Sequence, residues 1–142
     1  MQNLSFETVK KIKSVGFSYP DYDHFLNKGM VYSHLGDEYV IGGYSLAGFS
    51  KEDQCVSENG CWLPDESHLL SWLNANSFSY TVQWSHDDQR YQVQAHDMLC
   101  GVNYNSSGLD LVNALAKVII KICKSKMRDY VPSTALRLKV IE

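Results

Sequence analysis

The chain has 142 residues, a formal net charge of −3, 44% apolar side chains and 20% charged ones. That length and balance specify one ordinary globular domain and exclude a disordered or fibrous chain. The weak negative charge excludes long-range attraction to nucleic acid or an anionic membrane surface; only residues 125–142 are net positive, with 4 basic and 2 acidic side chains.

In chain order, the first predicted element is a helix from Phe6 to Val15. Ser5 is its N-cap, Phe6, Val9 and Ile12 recur at helical spacing, and Gly16 suits the left-handed stop. Phe17, just past that glycine, is placed to fold back onto the helix end. Residues 18–28 hold Pro20, Asp21, Asp23 and Asn27 and read as loop. A hairpin follows, with Met30–His34 and Glu38–Ile41 flanking Leu35-Gly36-Asp37. From Gly42 to Gly60 the glycines and polar residues give no periodic signal, so the segment reads as a long loop. It divides 1–60, a helix plus hairpin, from 61–142, an α-β-β-β-α unit with a tail.

That second unit opens at Pro64, with Asp65 and Glu66 in the first helical turn and Leu69, Leu70, Trp72 and Leu73 on the apolar face. Phe78, Tyr80, Val82 and Trp84 alternate with Ser79, Thr81 and Gln83, which predicts a strand. Ser85–Gln89 is a turn, and Tyr91, Val93 and Ala95 mark a second strand. Met98, Cys100, Val102 and Tyr104 predict a third. The last helix is expected to open at Asn105-Ser106-Ser107-Gly108, with Ser107 capping it through Asp110. Leu111, Val112, Leu115, Val118, Ile119 and Ile122 then form one stripe, with Asn113, Lys117, Lys121 and Lys124 opposite. Ala135, Leu136, Leu138, Val140 and Ile141 suggest a short strand in the tail. The fold class is therefore α+β, an antiparallel sheet with helices on one face.

Several chemistries lack their residues. Cys55 and Cys61 are separated by five intervening residues, wider than a zinc half-site, and no second pair follows. No Gly-x-Ser-x-Gly elbow and no phosphate-binding glycine loop occurs. No cofactor or metal is expected. Cys61-Trp62 echoes the Cys-Trp step of papain-like proteases, but the flanking residues differ and no histidine partner is placed by the sequence. A small hydrolase using Cys61 or a histidine is thus the third reading. The N-terminus lacks the apolar run of a signal peptide and Leu109–Cys123 is interrupted by Asp110, Asn113, Lys117 and Lys121, so a soluble cytoplasmic protein with free thiols is expected and no membrane partner.

Two surfaces remain. Helix, three strands and helix is also the topology of double-stranded-RNA-binding domains, and Lys117, Lys121, Lys124, Lys126 and Arg128 could contact phosphates. The opening of the last helix carries no lysine or arginine, however, and those cations equally form the solvated face and C-terminal turn of a helix. Aromatic residues make up 12% of the chain. Tyr22, Tyr32, Tyr39, Tyr44 and Phe49, interleaved with acids, describe a protein-binding face, since rigid amphipathic rings give contact area at low entropic cost.

The layout resembles a group of small uncharacterised phage and prophage proteins. The resemblance rests on Ile12-Lys13-Ser14-Val15-Gly16-Phe17, on the Pro-led stretch from Trp62 to Leu70, and on Leu111-Val112-Asn113-Ala114-Leu115. It implies a mobile-element origin and brings no catalytic residue. The expected function is a non-enzymatic protein-binding protein with a protein partner. A nucleic-acid-binding module is the alternative.

Overall fold

A computed structural model of the chain describes residues 2–17, 29–42 and 48–125. Its elements are α1 (Phe6–Ser14), β1 (Val31–His34), β2 (Asp37–Val40), α2 (Lys51–Asn59), β3 (Cys61–Trp62), α3 (Glu66–Ala75), β4 (Phe78–Ser85), β5 (Arg90–Asp97), β6 (Asn103–Gly108) and α4 (Leu111–Ser125). The fold is α+β, with antiparallel sheets ordered β2-β1-β3 and β4-β5-β6. The tail strand and the loop at 18–28 lie outside the described residues.

Local chemistry explains the first helix. The Ser5 hydroxyl accepts from the Thr8 N–H, and past the helix Gly16 takes a φ of +101°. The turn-back lets the Phe17 N–H reach the Ile12 carbonyl at 3.2 Å and buries the Phe17 ring against Trp72, with centroids 5.5 Å apart.

In the hairpin, β1 and β2 meet through the two-residue turn Leu35-Gly36, and Asp37 already belongs to β2. Both turn residues have positive φ, +52° and +87°, as a type I′ turn requires. Leu35 is a poor choice there: it is almost wholly exposed and its Cβ is strained in the left-handed region. Leu35→Asn should therefore raise stability by about 0.5–1 kcal/mol in urea titration. An unchanged midpoint would mean that the strain is relieved elsewhere.

The segment expected to be a long loop instead contains α2. Its N-cap is Ser50, whose hydroxyl accepts from the Asp53 N–H at 3.0 Å. Val56 is its single buried apolar residue, so no apolar stripe announced the helix. The Ser50-x-x-Asp53 spacing was the available signal. The glycine that ends α2, Gly60, lies where an added Cβ would sit 2.6 Å from the Val56 carbonyl and 2.9 Å from that of Ser33. That close approach lets β3 pair with β1 and so joins the two sides of residue 60. A second link is the Leu4 N–H donating to the Pro64 carbonyl at 2.8 Å.

Helix α3 begins at Glu66, two residues later than the expected opening at Pro64, because Asp65 is its N-cap. The Asp65 carboxylate accepts from the His68 N–H, and the His68 Nδ1 accepts from the Asp65 N–H. Histidine here fills the place that glutamate usually takes in a capping box.

Strands β4 and β5 follow their alternation. Phe78, Tyr80, Val82 and Trp84 share a face with Ala95, Val93 and Tyr91. The third strand is shifted from its expected position. Met98–Gly101 forms a turn in which the Asp97 carboxylate accepts from the N–H groups of Leu99 and Cys100, and β6 runs from Asn103 to Gly108. Ser107 consequently lies in the strand, and the cap of α4 is Asp110, which accepts from the Asn113 N–H at 2.9 Å.

Helix α4 buries Val112, Leu115, Val118, Ile119 and Ile122 over β5 and β6, and it also packs against α3 and α1. Small residues let it approach β6: Gly108 lies under Ala114, and the Ser106 hydroxyl donates to the Ala114 carbonyl at 2.6 Å. At the other end the Tyr104 hydroxyl donates to Ser125 at 3.0 Å. No helix among the described residues covers the opposite face of the sheet, which carries Ser79, Thr81, Gln83, Gln92, Gln94, Asn103 and Asn105. One apolar core, centred on Trp72, takes residues from Leu4 through Cys123.

Candidate functional site

Every open β-sheet must manage the unpaired N–H and C=O groups of its edge strands, which otherwise template pairing with another chain. Among the described residues there are four such edges, and three of them are protected by different means. Strand β3 is two residues long. Strand β2 carries the exposed acids Asp37 and Glu38.

The edge of β6 is capped by lysines. Lys117 Nζ donates to the Ser107 carbonyl at 3.1 Å, and Lys121 Nζ donates to that of Asn105. The spacing of four along α4 equals one helical turn, which brings both ammonium groups over carbonyls two residues apart in the strand.

The fourth edge is β4, Phe78-Ser-Tyr-Thr-Val-Gln-Trp-Ser85, and among the described residues it has no such guard. It is eight residues long and contains no charge, no proline and no glycine. The ladder fixes which of its groups point outward. The Asp97 N–H donates to the Val102 carbonyl and the Met98 N–H to that of Ser77. Backbone direction alternates along a strand, so Ser79, Thr81 and Gln83 bond to β5, while Tyr80, Val82 and Trp84 direct their N–H and C=O groups away from the sheet. At this same edge the apolar face is incompletely covered. Val82 and Trp84 are each 39% exposed, and the Trp84 ring meets Tyr91 edge-on at 4.9 Å.

The residues singled out from the sequence fall in several places. Tyr32 is a core ring in β1, which leaves it no surface for a partner. Phe49 is partly buried against the same core. Tyr39 ties the hairpin to α2: its hydroxyl donates to Asp53 Oδ1 at 2.7 Å, and the Gly42 N–H reaches the same oxygen at 3.2 Å. Tyr22 and Tyr44 lie outside the described residues, as do Lys126 and Arg128. Of the lysine strip, Lys117 and Lys121 fold back on β6 and Lys124 is exposed. Sequence reasoning missed the β4 edge because nothing in an eight-residue alternating pattern reports how many neighbours the strand has.

The Tyr39–Asp53 contact has a consequence in pH. The hydrogen bond to Asp53, helped by burial, pushes the Tyr39 hydroxyl up to about 12, and the same bond holds the Asp53 carboxyl below its ordinary value. For tyrosine a raised folded-state value means that the folded chain keeps a proton which the unfolded chain loses near pH 10. This stabilisation is complete below about pH 10 and is lost as the pH rises toward 12. The denaturation midpoint should fall over that window in the native chain and fall less steeply in Tyr39→Phe. Parallel slopes would place the titration elsewhere.

All four cysteines are free. Cys61 lies in β3 opposite Ser33 and not at a helix N-terminus, and its sulfur meets Lys13 Nζ at 3.9 Å. Burial pushes the Cys123 thiol up to about 11, which suppresses its thiolate. Cys55 and His34 line one cleft with Asp37, Glu38 and Glu52, but no hydrogen bond joins thiol to imidazole, and Cys55 Sγ instead meets the Asn59 amide at 3.5 Å. Among the described residues no group of three or more His, Cys, Asp or Glu side chains could hold a metal ion. None of the helices there is long and apolar enough to cross a membrane. No known family, characterised protein or solved structure matches the chain.

Proposed function

We propose that this chain is a non-enzymatic protein-binding module that takes an extended segment of a partner protein along the free edge of β4. The observation that carries the reading is the contrast between edges. Strands β2 and β6 are guarded by acids and by lysine caps, whereas the longer β4 presents the backbone groups of Tyr80, Val82 and Trp84 with no guard among the described residues. Strand addition draws its affinity from such main-chain groups and its specificity from alternate side chains. An apolar residue of the partner opposite Val82 or Trp84 would cover the exposed part of the apolar face. Lys117 and Lys121, engaged with strand carbonyls, favour this reading over phosphate recognition. The resemblance to small phage proteins adds a setting in which the partner is a phage or host protein.

The test is selection of peptides from a random display library on the full chain, followed by amide hydrogen exchange. Selected sequences should alternate apolar and polar residues, and binding should slow exchange at Tyr80, Val82 and Trp84. Val82→Lys places a charge at the centre of a partly exposed site and should weaken binding by about tenfold or more while leaving the melting point nearly unchanged. Binders that protect other amides and tolerate Val82→Lys would sink the proposal.

A further inference from the structure

A second site lies away from the β4 edge, in a groove of about 330 Å3 bounded by α1, the start of β5 and α4. Three cationic side chains from three elements line it: Lys11, Arg90 and Lys117. Between them lies apolar surface from Ala116, the partly buried Ile120 and Leu109, which is 71% exposed. Three cations around an apolar floor are unusual on a chain whose formal charge is −3.

Arg90 is the informative member. It is half-buried, yet among the described residues no acid stands within ion-pair distance of it, the ion pairs there being Lys10–Glu7 and His68–Asp65. Asp110 lines the same groove, but its carboxylate is occupied by the Asn113 N–H and side-chain amide, both at 2.9 Å, and by the Gln2 amide at 3.5 Å. Lys117 gives one donor to Ser107, a carbonyl that does not neutralise its ammonium group, and no acid among the described residues pairs with it. A half-buried arginine that lines a groove with no counter-charge among the described residues offers its fork of donors to an anionic ligand.

We propose that this groove binds a small amphiphilic carboxylate, with the acid on Arg90 and Lys11 and the apolar body over Leu109, Ala116 and Ile120. The planar fork of arginine matches a carboxylate in a bidentate pair. The apolar floor selects a hydrocarbon body over a free inorganic anion, and the volume falls in the range of small-ligand clefts, about 300–1,000 Å3.

The experiment is calorimetric titration of the full chain with decanoate, with decanol and inorganic phosphate as separate arms. Decanoate should bind saturably at one site, decanol about tenfold more weakly, and phosphate should not compete. Arg90→Gln should weaken decanoate by about tenfold, and Lys11→Gln, at an exposed residue outside the core, by a few-fold. The proposal is overturned if decanol binds as well as decanoate, if phosphate displaces decanoate, or if both variants bind it as the native chain does. Should Arg90→Gln lower the melting point, Lys11→Gln still decides, because its effect on decanoate is read in a fully folded chain.

Discussion

Trp72→Ala is expected to remove about 3–5 kcal/mol of stability, the largest loss from any single truncation in this core. The Trp72 ring is 1% exposed, stacks on Phe78 at 6.4 Å and meets the tilted ring of Phe17 at 5.5 Å. Phe17 hangs on the end of α1, Trp72 lies in α3 and Phe78 opens β4. One indole therefore holds together the N-terminal helix, the central helix and the sheet. Truncation removes transfer energy and leaves a void that three separate elements would have to close, which a well-packed interior does poorly. A domain of this size has about 5–15 kcal/mol to lose, so the melting point should fall by about 10–20 °C. Urea unfolding followed by far-ultraviolet circular dichroism measures the loss. A value below about 1.5 kcal/mol would mean that the neighbouring rings collapse into the space. Peptide capture at β4 should weaken along with it, because Phe78, the first residue of that strand, loses its stacking partner.

The elements legible in the sequence were those whose side chains obey one period with little interference. Helix α4 shows its stripe from Val112 to Ile122, and β4 and β5 show strict alternation because one face meets helices and the other meets solvent. Where tertiary proximity dictated small residues, the signal failed. The inner face of β6 is Tyr104, Ser106 and Gly108, since α4 passes close above it, and those residues look like a helix opening and not like a strand. Meanwhile Met98 and Cys100, which alternate like strand residues, belong to a turn held by Asp97. In α2 the residue facing inward beside Val56 is Asp53, whose burial is made tolerable by Tyr39, Gly42 and Ser50, partners that a sequence does not announce. The candidate interface was hidden for a different reason. The residues of β4 were all visible, but whether a strand is central or at an edge depends on the pairing of the whole sheet. Likewise the helical spacing of Lys117 and Lys121 was plain, whereas their attachment to β6 carbonyls follows only once β6 is in register.

Gly108→Ala is the second large effect, about 1–3 kcal/mol of lost stability, and it bears on how the sheet protects itself. An added Cβ at this position would sit 2.9 Å from the Ala114 nitrogen, 3.2 Å from its Cα and 3.3 Å from its Cβ. The first two atoms are helix backbone, so no rotamer change relieves the clash and α4 must move off β6. Removing the opposing methyl with Ala114→Gly should therefore fail to rescue the variant, whereas a side-chain clash would be rescued. The displacement has a second consequence. Lys117 and Lys121 reach Ser107 and Asn105 only because the helix lies close along the strand. Lifting α4 uncaps β6 and gives the sheet a second open edge. Sedimentation velocity over a concentration series should then show association by Gly108→Ala beyond that of the native chain, even at temperatures well below its unfolding. Adding a positive charge on the strand's solvent face with Asn105→Lys should suppress that association without restoring the lost stability, since charge guards an edge and does not relieve a steric clash. If Gly108→Ala is destabilised yet associates no more than the native chain, the two lysines are not what keeps β6 from pairing, and the contrast between the edges of β6 and β4 loses its meaning.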